Sequence, residues 1–133
     1  MKTTFFLKNL HLIISSLIVI PVAFGYGIMP EKVLPVFLDF KVETTDLFAV
    51  FRTIMGLYLA FSVLWILGIL KSNYWYAATL SNMLFMLGLA SGRIISLVID
   101  GMGSKIFFIG AVGELTLAIY GIYQLKKQQK SFL

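Results

Sequence analysis

The chain has 133 residues, 59% of them hydrophobic and 13% charged, with a mean hydropathy of +0.93, whereas soluble domains run to roughly 45–50% apolar and ~25% charged. This excludes an ordinary water-soluble fold, and four spanning helices of ~20 residues each would leave no room for a separate catalytic domain. The net charge of +5 comes from basic residues scattered near the ends of apolar runs, a pattern of membrane orientation and not of nucleic-acid binding.

The first apolar run, about 10–29, follows Lys2 and Lys8 and is long enough to span. Pro21 removes one backbone donor inside it, which predicts a kink near Leu17. A competing reading is a signal peptide with Ala23-Phe24-Gly25 as its cleavage site, although the run exceeds the usual ~7–15-residue core. Residues 30–46 mix Glu31, Lys32, Asp39, Lys41, Glu43 and Asp46 with Val33, Leu34, Val36, Phe37 and Phe40, and cannot span. With Pro30 to open a helix, they predict a short interfacial segment, either a lid over a cavity or a plain connector.

The second span, about 47–70, carries Arg52 with Gly56 one turn on, a pairing expected to let a neighbouring helix come close. Lys71-Ser72-Asn73 then reads as a short connection, with Trp75 and Tyr76 as interfacial aromatics opening the third span, about 75–99. In that span Gly88 and Gly92 have the small-xxx-small spacing that brings helix backbones together. Asn82 and Arg93 lie about three turns apart and so share a face. After the Asp100-Gly101-Met102-Gly103 reversal, the fourth span, about 105–125, places Gly110, Glu114 and Gly121 along one side. The expected architecture is an all-α, single-domain, integral membrane four-helix bundle with a short interfacial segment after the first helix.

Lys2, Lys8, Lys71, Lys126, Lys127 and Lys130 fall on one side of this arrangement, against Lys32, Lys41 and Lys105 on the other. Both termini are therefore expected in the cytoplasm, and the chain in a bacterial inner membrane as a multi-pass protein. At ~1.5 Å per residue, Arg52, Arg93 and Glu114 lie roughly 8, 10 and 13 Å below the outer edge. Ionised groups cost at least ~2.5–3.5 kcal/mol at the bilayer centre and mark functional sites by default. Arg52, Arg93 and Glu114, with Asn82 deeper, are thus the candidate ligand-binding residues of a polar chamber in the outer half. Two cations against one anion favour an anionic headgroup, carboxylate or phosphate; alternatively Arg52 snorkels to the surface and leaves a neutral Arg93 and Glu114 pair.

Gly92-Arg93-Ile94-Ile95-Ser96, then Asp100-Gly101, then Glu114-Leu115, together with Arg52, Gly56 and Leu57, resemble the small four-helix membrane family known as domain of unknown function 4345. The likeness covers nearly the whole chain but departs at Ile54 and Met55, where the family resemblance implies an acidic residue and a glycine. More distantly the layout is similar to DoxX-like membrane proteins, by architecture alone. The resemblance implies a fold and a site without an activity.

Three readings stay open. In the first, the charges are a structural cluster in a small membrane subunit or scaffold. In the second, the chamber binds or transports an amphiphilic anion or lipid. In the third, Glu114 moves a proton in an intramembrane enzyme while an arginine stabilises negative charge. No nucleophile motif, phosphate loop or metal-ligating constellation accompanies these residues, and without cysteine there is no thiolate chemistry, so no cofactor or metal is expected. His11 reads as interfacial, Tyr58, Tyr120 and Tyr123 as packing residues, and the methionines as filler. Expected partners are membrane lipids, an anionic amphiphile, and a second copy or another membrane subunit.

Overall fold

The computed structural model describes residues 2–130, with the side chains of residues 4–129. The side chains of Lys2 and Lys130, counted above for orientation, lie outside the described residues. The described residues form five helices: α1 (Lys2–Gly27), α2 (Pro30–Phe37), α3 (Thr45–Leu70), α4 (Ser72–Ile99) and α5 (Lys105–Lys130). All but α2 are long and apolar enough to cross a membrane.

Each boundary has a local cause. Pro30 opens α2, where its missing N–H costs nothing, and Leu38 closes it in extended conformation. The short helix expected after Pro30 is present, and its Leu34, with Leu38 and Val42 beyond it, packs on Tyr26, Leu47, Phe48 and Phe51. Those contacts fix α2 against the adjoining ends of α1 and α3. Thr44 caps α3, accepting from the Leu47 N–H at 3.2 Å, with Asp46 in the first turn. The connection to α4 is shorter than expected. Lys71 alone serves as C-cap of α3 and N-cap of α4, its N–H on the Leu67 carbonyl and its carbonyl accepting from Tyr74.

A single-residue turn forces α3 and α4 into close antiparallel packing, and Gly68 permits it by lying directly against Ala78, with Leu12 of α1 nearby. Above this point sits an aromatic core in which Phe85 meets Tyr58, Phe61 and Trp65 at ring separations of 5.1, 5.1 and 5.2 Å. At the opposite end, Gly101 turns the chain from α4 into α5 with φ +89°, a left-handed conformation that glycine adopts without a Cβ clash. Ser96 donates to the Asp100 carboxylate at 2.9 Å and so holds the end of α4.

The helices follow one another around the bundle. α1 packs chiefly on α3, α3 on α4, and α4 on α5, while α5 and α1 meet only sparsely. The ring is consequently open on its α1–α5 side. Pro21 leaves α1 helical on both sides of it. The expected Gly88 and Gly92 packing face is corrected: both glycines are exposed, and a Cβ on either would meet nothing within 4 Å. Close approach occurs instead at Gly68 and at Gly27, which lies against Met55.

Candidate functional site

Facing side chains on α4 and α5 build the polar centre. Arg93 Nη2 donates to Glu114 Oε1 at 2.9 Å, with the two side chains only 22% and 11% exposed. Phe107, Gly110 and Glu114 follow one another at i, i+3 and i+7, so one stripe of α5 receives the guanidinium. Its Cζ lies 5.2 Å from the Phe107 ring centroid. A Cβ at Gly110 would come within 3.0 Å of Arg93 Nη1 and 3.2 Å of Cζ, so the absence of a side chain there is what lets the arginine lie flat on α5. An ion pair, a cation–π contact and a missing methyl together fix one orientation of Arg93.

Beside this pair, in the open α1–α5 side, runs a cavity of about 550 Å³. Its walls are apolar side chains of α1, α2, α4 and α5, including Val22, Val33, Phe37, Leu89, Ile109 and Leu117. Polar groups reach it from Tyr26, Tyr58, Arg93 and Glu114. α2 lies across one end through Val33, Leu34 and Phe37. On the far side of Arg93 a second hollow of about 500 Å³ opens at the α4–α5 turn, lined by Ser96, Asp100 and Ser104 among others. Arg93 and Phe107 line both hollows and form the partition between them.

The four residues singled out from the sequence are not all gathered here. Arg93 and Glu114 are brought together. Arg52 is exposed on the outer face of α3, its Cζ 5.4 Å over the ring of Phe48, one turn nearer the start of that helix. Of the two readings, the shared chamber of three charges gives way to the alternative, a neutral Arg93 and Glu114 pair with Arg52 away from it. The reason is angular. Depth along a helix says nothing of its face, and Tyr58, roughly 120° around α3 from Arg52 at 3.6 residues per turn, is the residue that turns inward. Gly56 likewise faces outward, with nothing within 4 Å of an added Cβ. Asn82 is fully buried, but neither of its amide atoms has a partner and it does not line the cavity.

Tyr26 and Tyr58 were missed as wall residues, although Tyr58, Ser62 and Trp65 recur at i, i+4 and i+7 and mark the buried face of α3. The interfacial reading of His11 is also corrected. His11 is wholly buried, its Nε2 is 3.2 Å from Thr79 Oγ1, and Trp75 and Tyr120 stand 6.5 and 6.0 Å from its ring. Near it, the Leu7 carbonyl accepts from both Tyr120 (2.8 Å) and Gln124 (3.1 Å), tying α5 to α1 at the Lys71 end. This second polar group lies apart from the cavity walls and is held among α1, α4 and α5. Among the described residues no cluster of three or more His, Asp or Glu could hold a metal ion.

No curated protein and no solved structure matched the chain. The family model described as a domain of unknown function (DUF4345) matches residues 7–125, which take in α3 and α4 whole, most of α1 and α5, the Arg93–Glu114 pair and the cavity beside it, and the chain belongs to that family.

Proposed function

We propose that the protein is a multi-pass membrane protein that binds a lipid or other amphiphile in the cavity between α1 and α5. The observation that carries this reading is the cavity itself: about 550 Å³ of mostly apolar space, with polar atoms confined to two tyrosines and one ion pair. That volume lies within the ~300–1,000 Å³ typical of small-molecule sites, which pair apolar walls with a few placed polar groups. The sparse α5–α1 seam supports entry from the side, out of the bilayer, with no passage through water.

Both termini are assigned to the cytoplasm, supported by the excess of lysine near the Lys71 end. The bacterial inner membrane is proposed because bacterial outer-membrane spans are strands of barrels, whereas these are helices. Arg52 over Phe48 then reaches toward the outer headgroups. The direct 2.9 Å contact of Arg93 with Glu114 supports a structural duty as well, tying α4 to α5 behind the cavity. The same contact occupies one oxygen of the carboxylate that a proton-transfer mechanism would need.

Gly113 provides the test, since it lines the cavity and a Cβ there would meet nothing within 4 Å. Gly113→Phe should fill the space without disturbing the core. Mass spectrometry of wild-type protein purified in mild detergent should show a co-purifying amphiphile that this variant loses at an unchanged thermal midpoint. Equal lipid content in the two proteins would refute the proposal.

A further inference from the structure

The charge of the cavity wall narrows the ligand class. Arg93 and Glu114 are the charged side chains among the residues lining the cavity, and they neutralise each other at 2.9 Å. Arg52, whose extra cation would have favoured an anionic headgroup, is exposed on another face of α3. The remaining polar groups at the wall are the phenols of Tyr26 and Tyr58, set edge to face with 5.8 Å between centroids.

We infer that the cavity selects amphiphiles with an uncharged, oxygen-bearing head over those with an anionic or a cationic head; this rests on the amphiphile-binding reading above. An anion beside this pair gains attraction to Arg93 but meets repulsion from Glu114, bonded to the same guanidinium. A cation meets the mirror image. Neither recovers the hydration it leaves in the water, because the rest of the wall is apolar. An alcohol loses far less on entry. It can accept from the guanidinium or donate to the carboxylate or a tyrosine, using groups already in place. Glu114 Oε2, buried without a hydrogen-bond partner, leaves acceptor capacity on the carboxylate after Arg93 has taken Oε1.

The argument also states how selectivity should invert. Glu114→Gln leaves Arg93 as an uncompensated cation and should turn the preference toward an anion. Arg93→Met leaves Glu114 and should turn it toward a cation.

The experiment uses full-length protein in phosphatidylcholine nanodiscs at pH 7 and three radiolabelled probes of one chain length: hexadecanol, hexadecyl phosphate and hexadecyltrimethylammonium. Empty discs give the background for partition into lipid, and Gly113→Phe defines binding in the cavity. Wild type should bind hexadecanol roughly 10-fold or more tightly than either charged probe, the least that a poorly compensated ion in an apolar site implies. The wild-type comparison decides the matter even if a charge variant fails to fold, and the two charge variants are independent of each other. Binding of the phosphate or the ammonium as tightly as the alcohol, still abolished by Gly113→Phe, would overturn the uncharged-head inference and leave the cavity reading standing. If no probe shows binding that Gly113→Phe removes, the cavity reading falls, and the head-group inference with it.

Discussion

Replacing Glu114 by glutamine removes one charge from the Arg93–Glu114 contact and keeps nearly the same shape. Breaking a buried ion pair this way commonly costs ~3–5 kcal/mol, because the remaining charge stays buried. Here the partners keep 22% and 11% of their side-chain exposure and border a cavity. The guanidinium also retains its 5.2 Å contact with Phe107. Those features place Glu114→Gln at or just below the lower end of that range, about 2–3 kcal/mol. The double variant Arg93→Met with Glu114→Gln should recover more than half of the loss, since the orphaned charge and not the lost attraction carries most of the cost. Trp65 and Trp75, both buried, report unfolding by fluorescence. Equilibrium denaturation of wild type, both single variants and the double variant in one detergent closes the cycle. A double variant less stable than Glu114→Gln alone would refute the reasoning, because it would mean that the guanidinium stabilises the bundle without its counter-charge.

Three other outcomes are expected elsewhere in the bundle. A cysteine at exposed Ser72 should react with membrane-permeant but not with externally added impermeant reagent in intact cells; labelling from outside would reverse the topology. Gly68→Leu should abolish stable folding, because Ala78 already fills that space. Gly92→Leu, with nothing within 4 Å of its Cβ, should keep the wild-type stability to within ~0.5 kcal/mol in monomeric protein; a large loss there would show that this face is covered by another helix.

The four long apolar helices were legible because length and apolarity suffice to mark them, and the reversal at Asp100-Gly101 because a left-handed turn favours glycine. Family and ion pair were legible in Gly92-Arg93 and Glu114 for a related reason: few other residues can explain charge inside an apolar helix. What could not be read was which way a helix faces. In water a polar stripe marks the outside, but in a bilayer the lipid-facing and core-facing sides are both apolar, so the pattern loses its contrast. Arg52 could therefore be read either into a shared chamber or away from it, and Gly88 and Gly92, with a packing spacing, turned out to be exposed. His11 was assigned by its position near the inner end of the first helix, whereas its environment is set by Thr79 and Trp75, far away in sequence. A chamber at Arg93 and Glu114 was legible, but its mostly apolar walls were not, since they are made by two helices failing to close.

The bonds from Tyr120 and Gln124 to the Leu7 carbonyl give that gap a mechanical meaning. They join α1 and α5 at one end, next to the single-residue Lys71 turn, while farther along the same two helices stand apart around the cavity. The pair is thus built like tongs with one clasped end: any widening between the two helices would have to be taken up away from these bonds, on the side where α2 lies across the cavity.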